Sequence, residues 1–355
     1  MPLNFDPVME DKVTELEAAK NESTPTIWAV GGGKGGVGKS IMSSLLAFWL
    51  ARLGSRTILM DLDLGGANLH TLMGIKMPPR GLNDFMSGRF ESLEEACIDT
   101  ELENLRLICG ASENLSLANP PFARKIKIVK HLLTLNAEHV VLDLGAGTSF
   151  NVLDFFLAAH RKVAVLTPEP VSIHNAYAFI RNAVFRRLSQ LASKKTHIHE
   201  LIKTAMDPKN DLKVRTVKEL FQAIEKANEV ALKEFLLTEI EQIRPVLITN
   251  MTRAPKERSV GRVVQIVAEN YLMLHLRDLG SVVYDHRIPE MVSAMIPLTR
   301  LGLSSEAFVN MYEIVVKMMD EDKEAPRYIY PEGGRNHPLS PAPDKTPVLR
   351  DATFG

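Results

Sequence analysis

Ala29-Val30-Gly31-Gly32-Gly33-Lys34-Gly35-Gly36-Val37-Gly38-Lys39-Ser40 joins two apolar segments, and its reading decides the fold. Ile27 to Val30 reads as a buried strand and Ile41 to Leu50 as an amphipathic helix. Between them Gly33-x4-Gly38-Lys39-Ser40 meets the phosphate-loop template, with a strand before it and a helix after it as the template requires. Glycines let successive backbone N–H groups turn inward around an anion, and a helix starting near Lys39 adds the positive end of its dipole. The residues around the anion are then Gly33, Gly35, Gly36, Val37, Gly38, Lys39, Ser40 and Ile41. In that geometry Lys39 reaches the β- and γ-phosphates and the Ser40 hydroxyl binds Mg²⁺. Six glycines in the eight positions from Gly31 to Gly38 are a poor choice for an ordinary strand-to-helix turn.

Outward from this loop, composition sets the bounds. A chain of 355 residues, 45% hydrophobic and 24% charged, can bury one large core or two modest ones. With 42 basic and 43 acidic residues the net charge is −1, so no global field draws the chain to nucleic acid or membrane. There is no apolar run of about 18 residues to span a bilayer, and Met1 to Lys20 is acidic without an apolar signal core. The expected compartment is the cytoplasm. Cys97 and Cys109 are too few for a disulfide framework and read as buried small hydrophobes, the first in a helix and the second at a strand end.

Taken in order, residues 1–24 form an N-terminal extension in which Met9, Val13 and Leu16 fall at helical spacing, either a docking helix or a frayed terminus. Thr57 to Met60 reads as a second buried strand, with Asp61 and Asp63 at its carboxyl end, where ligands of an open parallel sheet bind. Residues 71–104 read as a helical excursion with short helices at Leu82–Met86 and Leu93–Ile98. A third strand, Leu105–Cys109, and a helix, Phe122–Leu135, follow. Glu138 to Gly147 repeats the earlier logic: an apolar strand ends in Asp143, the second acid expected near the metal, and Gly145 and Gly147 allow a loop that senses a γ-phosphate. Strand Val163–Thr167 and a helix from about Ser172 to Leu191 come next. This alternation predicts an α/β fold, a doubly wound, mostly parallel sheet with helices on both faces. A P-loop domain over 25–320 carries a helical insertion at about 191–244, and the tail 321–355, with six prolines after Asp320, reads as disordered.

Gly-Gly-Lys-Gly-Gly-Val-Gly-Lys-Ser at 32–40, with Lys34 five positions before Lys39, resembles the deviant Walker A signature of the MinD/ParA ATPases. The resemblance implies a Mg²⁺- and ATP-dependent homodimer in which Lys34 reaches across to the partner copy's phosphates. It gives Lys39, Ser40, Asp61 and Asp143 the Mg·ATP, and Asp63 the attacking water. Asn250, at the end of a strand Pro245–Thr249, matches an asparagine that reads the adenine edge. Gly-Gly-Ala-Asn at 65–68, Pro-Glu-Pro-Val-Ser-Ile-His-Asn-Ala-Tyr at 168–177 and Tyr284-Asp285 are similar to the branch that regulates flagellar number and placement (FlhG/FleN). Three features depart from that branch: Val283 where a proline is frequent, His70 where an acid is common, and no glutamine-containing motif near the start.

The implied function is a slow, partner-stimulated ATPase switch that places or counts a cellular structure, the flagellum first. The alternatives are a non-hydrolysing scaffold stabilised by nucleotide and a ParA-like partitioning ATPase on DNA. A protein partner is expected at the dimer face or at the insertion 191–244. Ten basic residues against three acids from Arg181 to Lys218 read as a solvated helical face or a DNA contact. Peripheral membrane contact in the ATP form is a further expectation, although the tail has no basic amphipathic helix. A related iron–sulfur carrier branch uses a Cys-x-x-Cys, which this sequence lacks. His197 and His199, two apart, do not share a helix face and read as surface histidines.

Overall fold

The central strands Thr26–Gly31, Thr57–Leu62 and His139–Leu144 are buried along nearly their whole length and must be covered on both sides, which a parallel sheet between two helix layers achieves. The computed structural model describes residues 24–63, 66–110, 122–191, 216–226 and 230–324, together with 200, 202 and 204. The N-terminal extension before residue 24, Gly65, His197 and His199, most of the basic run after Arg187 and the tail beyond 324 lie outside the described residues.

Eight strands form one sheet: β1 Thr26–Gly31, β2 Thr57–Leu62, β3 Ile98–Asp99, β4 Leu105–Ile108, β5 His139–Leu144, β6 Arg161–Leu166, β7 Val246–Thr252 and β8 Arg277–Val283. Their order is β3-β4-β2-β5-β1-β6-β7-β8, parallel throughout except for β3 against β4. The helices are α1 Lys39–Arg52, α2 Leu69–Leu72, α3 Leu82–Met86, α4 Phe122–Leu132, α5 Phe150–Ala158, α6 Pro170–Leu191, α7 Val217–Lys226, α8 Val230–Glu241, α9 Val260–Leu272, α10 Arg287–Ser293 and α11 Glu306–Glu324. One core lies on the side of α5, α6, α7, α8 and α9, the other on the side of α1 and α11. The predicted fold class is therefore observed, and β1 and the loop that follows it stand near the middle of the sheet.

Three readings need correction. α1 is not amphipathic: every residue from Met42 to Ala51 is buried, because α11 covers the side turned away from the sheet. Trp49 donates its indole N–H to the Phe308 carbonyl at 3.1 Å, and its ring lies 4.6 Å from that of Phe308. Leu93–Ile98 is not a helix. A single 3₁₀ turn, Glu94–Ala96, leads into the two-residue edge strand β3, whose Ile98 and Asp99 pair with Leu107 and Arg106, so Cys97 sits in an extended link. The sequence reading also passed over α5, which Ser149 caps by accepting the Val152 N–H at 3.4 Å.

In the stretch between α6 and β7, α7 and α8 bury Leu220, Phe221, Ile224, Leu236 and Ile240 in the same core as α6 and α9. Arg187 on α6 bonds Glu239 on α8 at 2.6 Å, with both side chains nearly buried. Among the described residues no helix is long and apolar enough to cross a membrane.

Candidate functional site

The loop 32–38 leaves the carboxyl end of β1 and closes over the first turn of α1. Three glycines are required by their surroundings: a Cβ on Gly32 would fall 2.8 Å from the Val165 carbonyl oxygen. A side chain at Gly33 would lie 2.0 Å from the Asn175 carbonyl oxygen in the first turns of α6. Gly38 has φ +87°, and its Cβ would fall 2.2 Å from Nδ2 of Asn250. Gly35 and Gly36 face open space, so the loop presents bare backbone outward, the shape an anion cradle needs.

The two lysines are opposite in character. Lys34 is exposed on the rim, whereas Lys39 is 8% exposed and donates to the Lys34 carbonyl at 3.4 Å. Burial lowers the Lys39 pKa, and the charges of Asp143 and Asp63 oppose that shift.

The carboxylates come from neighbouring strands. Asp61 on β2 stands in register with Asp143 on β5, and both are about 2% exposed or less. Burial, with the Asp143 charge second, pushes Asp61 up to about 7. Burial likewise raises Asp143 to about 6, although hydrogen bonds from Ser40 and Ser43 and the charge of Lys39 favour its ionised form. Ser43 donates to Asp143 at 2.9 Å. Asp61 accepts the N–H of Asp63 at 3.0 Å and that of Leu69 at 3.1 Å, thereby shaping the loop after β2. Asp63 lies beside the loop after β5, where a Cβ on Gly145 would sit 3.1 Å from its carboxylate.

These contacts bring Lys39, Ser40, Asp61, Asp63 and Asp143 to one place, with Lys34 at its edge. Two buried, mutually repelling carboxylates beside one ammonium fit a divalent cation, which would draw both back to their ionised forms. Mg²⁺ keeps water and phosphate oxygens among its ligands, so one or two carboxylates and a hydroxyl are enough protein donors for it.

Asn250, expected at the adenine edge, lies against the phosphate loop, and its amide is engaged by the chain itself. Nδ2 donates to the Val37 carbonyl at 2.9 Å and Oδ1 accepts the Met251 N–H at 2.8 Å. The Tyr284 N–H bonds the Thr252 carbonyl at 2.9 Å, and Arg253 lies over the Tyr284 ring at 4.4 Å. Arg287 and Ser305 hold the Asp285 carboxyl well below the usual carboxylate range. Ser43 was missed in the sequence; its signal is its place four residues after Lys39, on the same helix face.

The family profile described as "ParA: NUBPL iron-transfer P-loop NTPase" matches residues 23–181. The antiactivator FleN of Pseudomonas aeruginosa is 36% identical over 43% of this chain and 54% of its own length. The flagellum site-determining protein YlxH of Helicobacter pylori is 33% identical over 45% of this chain and 54% of its own. The chain thus spans about half the length of the curated relatives it matches. Among solved structures, the septum site-determining protein MinD from Pyrococcus horikoshii, complexed with Mg-ADP, superposes with a TM-score of 0.57 at 17% identity, over 84% of this chain and 97% of that one. At that identity the likeness speaks for the fold alone.

Proposed function

This chain belongs to the ParA/MinD family of P-loop NTPases, and we propose that it is an ATP-driven switch that dimerises with ATP bound and is reset by hydrolysis. One observation carries the reading: Asp61 and Asp143, buried side by side and raised in pKa, stand with Lys39 and Ser40 beneath a loop of bare backbone. When bound, Mg·ATP supplies the γ-phosphoryl group that passes to water. The backbone N–H groups of the loop and the Lys39 ammonium hold the phosphates. Ser40 and Asp143 hold the cation, and Asp61 completes that set while fixing the loop that carries Asp63. Asp63 orients the attacking water. Lys34, exposed where Lys39 is buried, is free to face a second copy. Positioned charge supplies most of the catalysis in phosphoryl transfer, so turnover stays slow until the second copy and a partner complete the site.

The test is a pair of variants. Lys39→Ala should abolish Mg·ATP binding in calorimetry. Asp63→Ala should bind Mg·ATP, elute as a dimer and fail to hydrolyse; hydrolysis at the unmodified rate would remove Asp63 from its role.

For the process, we propose control of flagellar number or placement, supported by the resemblance to FleN and YlxH. A deletion strain with unchanged flagellar count and position in electron micrographs would sink that assignment. The iron-transfer description of the matched profile gains no support from this chain. Its only cysteines, Cys97 and Cys109, form no Cys-x-x-Cys, and burial pushes both thiols up to about 12.

A further inference from the structure

We infer that Ser43 is a positioning residue for Asp143, holding its carboxylate in the orientation that serves a bound magnesium ion. The inference rests on the nucleotide reading proposed above and adds to it a residue outside the phosphate loop.

Ser43 is a hydroxyl in an apolar place. It is 0% exposed, on a stretch of α1 where Met42, Leu45, Leu46 and Ala47 are buried as well. Alanine is the better helix former at such a position, and a buried hydroxyl is costly unless it is bonded. The helix alone could satisfy it, because the Ser43 Oγ lies 3.0 Å from the Lys39 carbonyl one turn back. Yet the same Oγ lies 2.9 Å from Oδ1 of Asp143 on β5, the strand on which α1 packs. Ser43 has a single hydroxyl proton for these two acceptors. A carboxylate is a stronger acceptor than a carbonyl that already has its helical N–H partner, so the proton goes to Asp143.

What this bond does follows from the freedom of a carboxylate. The last torsion of an aspartate is broad, so the plane of its two oxygens is set by what they bond. Asp143 is 2% exposed, which leaves that task to protein groups, and its hydrogen-bonding side chains are Ser40 and Ser43. In the proposed site the Ser40 hydroxyl also serves the cation. Ser43 has no such second duty, and it stands on the same helix as Lys39 and Ser40, four and three residues further on. Through it the phosphate-binding end of α1 and the carboxylate of β5 are fixed to each other. Partners that orient a metal ligand in this way are typically worth about 10–100-fold in metal affinity.

The readout is the gain that magnesium adds to nucleotide binding. Calorimetry on the full chain gives the affinity for ADP in saturating Mg²⁺ and again in EDTA, and the ratio of the two is that gain. Ser43→Ala should lower the ratio about tenfold while the affinity in EDTA stays within about twofold. Its urea midpoint should hold or rise, since alanine favours the helix, whereas loss of a merely structural hydroxyl would lower it. In an Asp143→Asn background Ser43→Ala should change the ratio no further, because the carboxylate it orients is gone. The inference fails if Ser43→Ala leaves the ratio as it was, or weakens binding equally with and without magnesium. It fails as well if the effect persists in the Asp143→Asn background. Should Ser43→Ala lose its fold by circular dichroism, Ser43→Cys, a weaker donor, carries the same comparison. An unmodified protein that binds ADP with no gain from magnesium overturns this inference alone. One that binds no nucleotide removes the nucleotide reading itself, a separate result.

Discussion

The backbone N–H of Gly147 donates to the carbonyl of Gly32 at 3.2 Å, so the loop that follows β5 is tied to the start of the loop that follows β1. Gly147 holds φ +91°, and nothing lies within 4 Å of where its Cβ would be. Gly147→Ala therefore meets backbone strain without a clash. We expect a loss of about 1–2 kcal/mol in urea unfolding. ATP hydrolysis should fall while ADP affinity holds, because the loop after Asp143 is the one expected to respond to the γ-phosphate. Unchanged stability would show that the left-handed turn costs alanine nothing here.

Acid should weaken the fold through His139. Its Nδ1 accepts the Trp28 indole N–H at 3.2 Å, and burial lowers its pKa from 6.5 to about 4, with Glu138 opposing and Arg161 assisting. The folded state thus resists a proton that the unfolded chain accepts. The stabilisation is complete above pH 6.5, declines as the pH falls toward about 4, and levels off below that. The full span corresponds to roughly 3 kcal/mol. His139→Phe should flatten this part of the stability curve in urea titrations at several pH values; an unaltered slope would assign it elsewhere.

Asp154 on α5 gathers cations from two other helices. Lys125 on α4 reaches it at 2.7 Å, Arg186 on α6 at 2.8 and 3.2 Å, and Gln190 at 3.2 Å, with Lys125 and Arg186 both buried. Asp154→Ala removes the carboxylate these groups share. Its expected cost is about 3–5 kcal/mol, read as a lower urea midpoint. A loss below about 1 kcal/mol would mean that the cations find water on losing it.

Phe308 on α11 should matter to the helix that carries Lys39. Its ring lies 4.9 Å from Phe48 and 4.6 Å from Trp49, and its carbonyl receives the Trp49 indole. Phe308→Ala is expected to cost about 3–5 kcal/mol by opening a cavity between α1 and α11. A small loss in thermal melting would show that α11 closes the gap.

The loop, six of the eight strands and the acids were legible because local rules govern them, whereas β3 and β8 at the sheet edges were not read. Asp61 and Asp143 each close an apolar run, which places them at the carboxyl edge of a parallel sheet before any pairing is known. That β2 and β5 are neighbours, so that the two acids repel each other, is a matter of strand order and is not written locally. The all-round burial of α1 depends on Phe308, more than 250 residues away, and the hold of Asn250 on Val37 spans 213 positions. β3 escaped notice because two residues cannot display a period of two, and α5 because a nine-residue helix so rich in Phe and Leu resembles a buried strand.

α6 has one further consequence. Near its start Gly33 rests against the Asn175 carbonyl, and close to its far end Arg187 grips Glu239 of α8. Its 22 residues make a rod of about 33 Å. A stiff lever seated on the loop at one end and bolted to α8 at the other ties the phosphate loop to the packing of α8 through a single rigid element.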